Sequence, residues 1–589
     1  MMMAIAHAIV TAFEDFLDDP AGVLSNDANN DGHRELGSDD PADPARAYLS
    51  DGALPDPGKG CIIGIIDDGI PFIHQRFTLP GNLSRVAAVW MQDARFRQGA
   101  GVDLPSGAEW RGAELSALLA GAATGKTGGE DAIYRLTGAV DLARPGTPSG
   151  AFEAGHGSAI APLAAGFDPA DPQARNHPVI AVCLPPRIIA DSMGVLAPVP
   201  ILTGMLFIIN RARRLCRFIE GKHGLSHGDV RLPVVINLSL GLTAGPHDGS
   251  TLLERFMDAV SETRTPDLGP VHFVLPMGNH RQDRLRAKLR RGQSIGWRLP
   301  PDDATINAVE IWGPPQDHPP RGDLQVTLTP PGHAASTTDF KVPWQFSVLS
   351  DRNGKPLARA YYMPQLLPGG RWRDGIAVIA LPTCPERLGE PFAPPGEWRV
   401  GIAGSDSDDG SQQVYDVTAQ RDEVIRGFRR GARQSWFHDP AYRSHDESGF
   451  PILTDAQNGG DPLVIRRDTV NSYATGRLTL RAGAVYRQTG QGTDYAALLA
   501  NGEGGDCLAP VDRSVNSSSM IVRGRNSGSF TLASGTSLAA PQLARWLAGR
   551  LSEDPDLDVR QAIRDQAGRQ GAIPGQPPTL PLATPFREF

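Results

Sequence analysis

The sequence predicts an α/β protein in which helices cover both faces of a parallel sheet, interrupted by an all-β, sandwich-like insert. From Cys61 onward, short apolar runs alternate with helical patterns. Buried strands that alternate with helices form parallel sheets covered on both faces. From about 295 to 465, strand-like alternation replaces helical periodicity, which is typical of an all-β segment. The α/β pattern returns at about 477, so the insert divides one core into two stretches of sequence.

The composition excludes several classes of protein. The chain has 589 residues, of which 40% are hydrophobic, and this is too apolar for a disordered protein. No apolar run approaches the roughly 20 residues that a membrane-spanning helix needs. The net charge of −9 argues against nucleic acid as the main partner. The five scattered cysteines include no CxxC pair, which favours a reduced compartment over a disulfide framework or a zinc cage.

Residues 1–58 are predicted to form an N-terminal extension. A short helix at about 4–17 leads into a linker rich in Asp, Asn, Gly and Pro, a composition typical of exposed segments. Within the linker, 27–32 matches the first half of a calcium loop, but Ser38 stands where a bidentate Glu is needed. We therefore favour a solvated acidic linker. The N-terminus has no leading Lys or Arg and no clear cleavage site, which argues against a secretory signal.

The remaining elements follow in order along the chain. The α/β core is predicted at 59–290 and 466–552, the β-rich insert at 291–465, and a tail at 553–589. An Asn353-Gly354 pair predicts a hairpin within the insert. The predicted core strands are 61–67, 179–184, 233–240, 271–277 and 477–486, and the predicted core helices are about 156–166, 199–220, 250–264 and one after Ser537.

Four side chains suited to acyl transfer lie at predicted strand ends or helix starts, where open parallel sheets place ligands. Asp67 ends a strand, Asn279 follows one, and His156 and Ser537 each begin a helix. A serine hydroxyl becomes a nucleophile when a neutral imidazole takes its proton, and a carboxylate orients that imidazole. The amide of Asn279 and the backbone N–H of Ser537 could both stabilise an oxyanion.

These residues stand in motifs that resemble those of the subtilisin-like serine protease family. Asp67, His156 and Ser537 follow the chain order of the family's triad. The segment 535–541 matches GTSxAxP at every fixed position, 67–70 resembles D-[ST]-G-I, and 156–158 resembles H-G-T. The resemblance covers about 61–285 and 470–550. It implies a subtilisin-like fold, a catalytic triad of these three residues, and Asn279 as an oxyanion donor.

The resemblance also implies how substrate would be bound. Residues 237–241 resemble the strand that pairs with substrate backbone on one side of the first specificity pocket. Pro276 and Met277 replace small residues that usually form a wall of this pocket, which predicts a narrowed or reshaped pocket. The substrate-binding residues implied in this way are Ser239, Leu240, Gly241, Met277 and Gly278.

Asp68 departs from the family pattern, which has Ser or Thr beside the catalytic Asp. A second carboxylate that faces His156 would raise the pKa of the imidazole, whereas one that turns away would be inert. His74 stands where the family often carries a histidine behind the triad. The extension at 1–58 is short and acidic for the folding propeptide of secreted relatives, so autoprocessing does not follow from the resemblance.

Two further segments invite a functional interpretation. Six Lys or Arg residues lie within 281–291, directly after Asn279. We expect a solvated surface helix there, and the alternative is a positive rim that attracts acidic substrates. The segment 121–129 resembles a phosphate-binding loop in composition, but Ala120 stands where the first glycine is needed. An ordinary loop is therefore the favoured interpretation.

We therefore predict a serine endopeptidase that hydrolyses peptide bonds through an Asp67-His156-Ser537 triad and an acyl-enzyme intermediate. Its partner is a polypeptide substrate, and we expect neither nucleic acid nor membrane as a partner. The reaction needs no cofactor; the resemblance allows structural calcium, but no ligands can be assigned to it. We predict a cytoplasmic location. The alternative is a non-catalytic or partner-gated scaffold whose β insert binds a regulatory protein.

Overall fold

A computed structural model shows a mixed α/β architecture. It describes residues 46–95, 104–141, 143, 155–190, 194, 196–404, 413–422, 431–570, 577 and 579–580. The predicted helix at 4–17 and the half calcium loop at 27–32 lie outside these residues. Within the described ranges, no helix is long and apolar enough to cross a membrane.

The described helices and strands are numbered in chain order. The helices are α1 (Gly112–Ala123), α2 (Glu130–Leu136), α3 (His156–Ala165), α4 (Pro186–Ala190), α5 (Pro198–His223), α6 (Leu252–Glu262), α7 (Asp455–Asn458), α8 (Ala539–Glu553) and α9 (Val559–Gln570). The strands are β1 (Ile62–Asp67), β2 (Thr78–Leu79), β3 (Leu83–Ser84), β4 (Val86–Met91), β5 (Ala108–Arg111), β6 (Val179–Cys183), β7 (Val234–Leu238), β8 (Val271–Pro276), β9 (Arg286–Leu289), β10 (Ser294–Leu299), β11 (Asn307–Trp312), β12 (Val326–Thr329), β13 (Ser336–Thr337), β14 (Phe346–Ser350), β15 (Pro356–Tyr362), β16 (Gln365–Leu366), β17 (Trp372–Arg373), β18 (Gly375–Ala380), β19 (Gly396–Ile402), β20 (Tyr415–Ala419), β21 (Trp436–His438), β22 (Leu480–Tyr486), β23 (Cys507–Asp512), β24 (Met520–Arg523) and β25 (Phe530–Ala533).

A mainly parallel sheet of eight strands lies at the centre of the α/β part. Its strand order is β23-β22-β8-β7-β1-β6-β4-β5. Every neighbouring pair is parallel except β4 with β5. β4, β5 and β23 extend the sheet beyond the strands that the sequence predicts. The carboxyl ends of the parallel strands consequently meet at one edge.

Two hydrophobic clusters cover the two faces of this sheet. In β1, Ile63 and Ile65 belong to the cluster that includes α3 and α8, whereas Ile62 and Ile66 belong to the cluster that includes α5 and α6. All four isoleucines are fully buried, because successive residues of a strand point to opposite faces. A continuous apolar strand is thus the pattern that a doubly covered sheet requires. The predicted parallel sheet with flanking helices is confirmed.

Residues between β9 and β21 form two large antiparallel sheets, together with a separate antiparallel pair, β16 and β17. One has five strands in the order β13-β12-β19-β10-β21, and the other has six in the order β14-β15-β18-β11-β20-β9. The two sheets share one hydrophobic cluster, to which Trp297 and Trp398 contribute from the first sheet and Val378 from the second. Gly354, at the hairpin turn between β14 and β15, has a φ of +79°, which glycine adopts without strain.

One local prediction is wrong, and one helix falls where a tail was expected. The basic segment at 281–291 does not form a surface helix, because it contains β9, and Arg281 and Arg286 are buried. Its apolar residues recur at every second position and enter the core of the antiparallel sheets. This is the spacing of a strand, but the cations between these residues made the segment resemble an exposed helix. The helix α9 lies within the predicted tail and buries Ile563. The predicted domain boundaries stay predictions.

Candidate active site

The carboxyl edge of the parallel sheet brings together the residues that the sequence predicts as catalytic. Asp67 is the last residue of β1, and His156 is the first residue of α3. Asn279 follows β8, and Ser537 lies in a 3₁₀ turn, Thr536–Leu538, directly before α8. His156, Asn279 and Ser537 line one cleft. Asp67 is fully buried and contacts the cleft through His156.

A hydrogen bond joins Asp67 to His156. Nδ1 of His156 lies 2.8 Å from Oδ1 of Asp67, and the His156 side chain is 35% exposed. Because Nδ1–H donates to the carboxylate, Nε2 is the unprotonated nitrogen of the neutral ring. Burial disfavours the imidazolium, but the charge and hydrogen bond of Asp67 and the charge of Asp68 outweigh it and raise the pKa of His156. The ring is therefore oriented as a general base.

Gly157 and Asp68 fix the start of α3 against the end of β1. The backbone N–H of Gly157 donates to Oδ1 of Asp68 over 3.0 Å. A Cβ at position 157 would lie 1.8 Å from the carbonyl oxygen of Asp68. Glycine is needed at this position because any side chain would push the helix away from the strand. Gly157 thereby lets His156 reach Asp67.

Asp68 is a second buried carboxyl group beside the candidate triad. It is 2% exposed, and burial, followed by the charge of Asp67, raises the pKa of Asp68 to about 6. Its backbone N–H donates to Oδ1 of Asp67 over 2.8 Å. A carboxylate oxygen of Asp68 lies within 4.8 Å of a ring nitrogen of His156, so of the two orientations that the sequence leaves open, the structure has the one that faces the imidazole.

Ser537 is held through its backbone carbonyl. That carbonyl accepts a hydrogen bond from Oγ of Ser239 over 3.1 Å, and the same Oγ accepts from Nδ2 of Asn237 over 3.0 Å. Ser239 therefore substitutes for the helical N–H that Pro541 lacks. The Ser537 hydroxyl donates to the carbonyl of Ser239 over 3.3 Å, and among the described residues no hydrogen bond joins it to His156. Catalytic hydrogen bonds often tighten only when substrate binds.

Thr536 orients the side-chain amide of Asn279. Oδ1 of Asn279 accepts from both N and Oγ1 of Thr536, each over 2.9 Å. With Oδ1 held by Thr536, the NH₂ group is the part of the amide that can donate to an oxyanion. A Cβ on Gly535 would lie 3.0 Å from Nδ2 of Asn279, so the glycine keeps the space beside this donor open.

Tyr495 and Asp512 hold the turn before Ser537, and neither residue was predicted from the sequence. The N–H of Gly535 donates to Oη of Tyr495 over 3.2 Å, and Tyr495 donates to Oδ2 of Asp512 over 2.5 Å. Asp512 is fully buried at the end of β23. Its position at the carboxyl end of a parallel strand is a signal that could have found it, whereas Tyr495 carries no such signal.

Four of the five predicted substrate-binding residues line the cleft: Ser239, Leu240, Gly241 and Gly278. Met277 is the exception, because its side chain is fully buried and its Cγ lies 3.2 Å from an ideal Cβ on Gly505. Pro276 lines the cleft in its place.

The antiparallel sheets between β9 and β21, called the β-rich part below, contribute a cation to the cleft. Arg421 follows β20 and lines the cleft, and its charge opposes the effect of the two carboxylates on the pKa of His156. Thr243, in the cleft wall, donates through Oγ1 to the carbonyl of Ala419 over 3.2 Å, which ties the end of β20 to this wall. Among the described residues that line the cleft there is no Asp or Glu. The charge of this lining is therefore positive.

Asp67, Asp68 and His156 are the one group of candidate metal ligands found in the described part of the chain, with ligand atoms within 4.8 Å of one another. A cation there would compete with the hydrogen bond between Asp67 and His156. His74 does not belong to this group, because its Nδ1 accepts the N–H of Arg76 and caps a 3₁₀ turn, Gln75–Phe77.

Comparison with known proteins identifies a similar fold. No protein-family model and no curated protein matches the chain. Among solved structures, the CspB protease of Clostridium perfringens is similar, with a TM-score of 0.57 and 15% sequence identity. The similarity covers 89% of this chain and 92% of that chain. At this identity the likeness shows a shared fold.

Proposed function

We propose that the chain is a serine endopeptidase that uses Asp67, His156 and Ser537. The observation that carries this proposal is the hydrogen-bonded pair of Asp67 and His156, whose Nε2 is available as a base in a cleft shared with Ser537. The oriented amide of Asn279 in the same cleft adds an oxyanion donor. The fold shared with a protease and the motifs that resemble the subtilisin-like family support the same reaction.

In this mechanism Ser537 attacks the carbonyl of the scissile peptide bond while Nε2 of His156 takes the hydroxyl proton. Asp67 keeps the ring in the correct tautomer and stabilises the imidazolium. The amide of Asn279 and the N–H of Ser537 stabilise the negative oxygen of the tetrahedral intermediate. His156 then gives its proton to the leaving amine. Water, activated by the same imidazole, hydrolyses the acyl-enzyme and restores Ser537.

The proposal extends to the finer fold and to the partners. The α/β part would be a subtilisin-like core, and the two antiparallel sheets a β-sandwich insert. The substrate would be a polypeptide, with neither nucleic acid nor membrane as a partner, in the cytoplasm. The proposed steps use only side chains, backbone donors and water. Structural calcium would be an addition to them, and its ligands are unassigned.

Labelling with a fluorophosphonate probe tests the proposed reaction, because the probe reacts with a serine that a base activates. The wild-type protein should be labelled, and Ser537→Ala and His156→Ala should not. Ser534 lines the same cleft, so Ser534→Ala is the matched control and should be labelled like the wild type. Labelling that survives Ser537→Ala, or its absence from folded wild-type protein, would contradict the proposal.

The second candidate is a partner-gated protease, in which the β-rich part controls access to the cleft. The contribution of Arg421 to the cleft and the contact of Ala419 with Thr243 favour it. A gated enzyme should react with the small probe and leave an unfolded protein such as reduced casein uncut. Cleavage of casein by the isolated protein at a rate matching its labelling would exclude gating.

A further inference from the structure

We propose that Asn471 closes the first specificity pocket, so that the enzyme cleaves after residues with small side chains. This pocket would take the side chain of the residue whose carbonyl Ser537 attacks. The inference rests on the proposed peptidase function and adds a substrate class to it. Asn471 follows α7 and precedes β22, and it stands in none of the motifs discussed above.

The side chain of Asn471 bridges the two walls of the pocket. Its Nδ2 donates to the carbonyl of Leu240 over 2.9 Å and to the carbonyl of Pro276 over 3.3 Å. Leu240 follows β7 and Pro276 ends β8, and both residues line the cleft. One nitrogen can reach both carbonyls only where the walls are close together. The carboxamide therefore occupies the space that a substrate side chain would have to enter.

Every hydrogen-bonding position of this carboxamide is in use. Oδ1 accepts from the N–H of Leu242 over 3.3 Å and from the N–H of Tyr473 over 3.0 Å. Both hydrogens of Nδ2 are donated to the wall carbonyls, which completes the four bonds that an amide side chain can make. Asn471 is also 3% exposed. Displacing it would leave buried polar groups without partners, which is costly.

Gly241, in the wall of the pocket, provides room for the Asn471 side chain. A Cβ on Gly241 would lie 2.2 Å from Cγ of Asn471, so the carboxamide lies directly against the backbone there. On the other wall, an ideal Cβ on Gly278 would lie 3.2 Å from the backbone N of Asn471. Glycine or alanine before the scissile bond carries at most a methyl group, which does not need the space that the carboxamide fills. A leucine or phenylalanine side chain would have to displace Asn471.

Binding to the Ser537→Ala variant measures pocket size without requiring catalysis. The probes are two N-acetyl tripeptide acids, which mimic the acyl product and end in Ala or in Phe. We expect the peptide ending in Ala to bind at least about 10-fold more tightly, a typical size for pocket discrimination between apolar side chains. Equal or tighter binding of the peptide ending in Phe would overturn the inference, and so would the absence of binding by both peptides.

A second substitution assigns the selectivity to Asn471. Asn471→Gly, combined with Ser537→Ala, should improve binding of the Phe peptide at least about 10-fold, whereas Asn471→Leu, which keeps the pocket filled, should not. An unchanged preference in folded Asn471→Gly protein would overturn the assignment. If that variant does not fold, the preference measured with Asn471 in place decides the inference.

Probe labelling distinguishes this failure from failure of the proposed function. Wild-type protein that is not labelled but whose Ser537→Ala variant prefers the Ala peptide would refute the peptidase and leave the closed pocket standing. Labelled wild-type protein whose Ser537→Ala variant prefers the Phe peptide would refute the closed pocket alone.

Discussion

Asp68 is the residue at which the candidate triad differs from the motif that it resembles. Its carboxyl group is almost fully buried beside Asp67, and each negative charge stabilises the imidazolium of His156. The same carboxyl group accepts the N–H of Gly157 at the start of α3. Asp68 therefore has an electrostatic effect and a structural one, and a substitution can separate them.

Asp68→Asn should shift the pH profile of the labelling rate. Its acid limb, where protonation of His156 stops the reaction, should move to lower pH. Removal of the negative charge lowers the pKa of His156, so the neutral ring that accepts the Ser537 proton persists at lower pH. Oδ1 of Asn can still accept the N–H of Gly157, which preserves the position of α3. The rate of fluorophosphonate labelling measured across the range of histidine titration would show the shift. An acid limb that moved to higher pH would refute this account.

Asn279→Ala should reduce kcat about 10²–10³-fold, the usual loss when one oxyanion donor is removed, with little change in KM. Thr536→Val should cause a smaller loss, because it removes the bond from Oγ1 to Asn279 but keeps the bond from the backbone N–H. Steady-state cleavage of a short peptide measures both variants. Equal losses in kcat and in 1/KM would contradict a role confined to the transition state.

Among individual residues, those that stand in sequence motifs could be predicted. Those that matter through contacts with residues far away in the chain could not. Asp67, His156, Asn279 and Ser537 each mark a strand end or a helix start, so the order of elements predicted that they meet. Tyr495 binds Gly535, and Asn471 binds Leu240, 231 positions away in the chain. A single sequence carries no signal for such pairs, because their partners are backbone groups of ordinary residues.

At the scale of elements, the helix α3 determines where His156 lies. His156 is the first residue of this helix, and the buried side chain of Arg85 holds the last turn. Nη2 of Arg85 donates to the carbonyl of Ala165, the last residue of α3, over 2.5 Å. Nη1 donates to the carbonyls of His177 and Ala174 over 2.5 and 3.2 Å. Burial, followed by the charge of Arg545, lowers the pKa of Arg85 to about 9, so the guanidinium remains charged at neutral pH.

Arg85→Met should lower the free energy of unfolding by about 3 kcal/mol or more, because several buried carbonyls lose charged donors. The control is Arg95→Met, since the Arg95 side chain is 74% exposed in its ion pair with Asp141. That control should change stability by about 0.5 kcal/mol at most. Urea denaturation of both variants makes the comparison. Similar stabilities for the two variants would show that Arg85 is not needed to hold α3.

The spacing of apolar residues along each strand or helix explains which elements could be predicted from the sequence. Core strands such as β1 are continuous apolar runs, and α5 and α8 have clear helical periods, so these elements were predicted. β9 was not, because Arg286 and Lys288 alternate with its apolar residues and dominated the interpretation of the segment. Arg286 is buried beside Asp468, at 2.5 Å, and this ion pair between distant segments makes a cation acceptable inside the protein.

At the scale of the whole molecule, the two parts of the chain share the cleft. The net charge of the chain is −9, yet the described residues that line the cleft include Arg421 and no Asp or Glu. The positive rim considered for 281–291 cannot include Arg281 and Arg286 as surface charges, because both are buried. The cation from the β-rich part lies in the cleft instead, where it acts on His156.

Arg421→Gln should therefore move the acid limb of labelling to higher pH, the opposite direction from Asp68→Asn. The positive charge of Arg421 disfavours the imidazolium, so its removal leaves the effects of Asp67 and Asp68 less opposed and raises the pKa of His156 further. Arg399→Gln is the matched control, because Arg399 lies on β19, is 54% exposed and does not line the cleft. It should leave the pH profile unchanged.

Profiles of Arg421→Gln and Arg399→Gln that coincide with the wild type would mean that the β-rich part supports the cleft without changing the pKa of His156. Opposite shifts for Arg421→Gln and Asp68→Asn would show that charges from both parts of the chain set the pH at which Ser537 is activated.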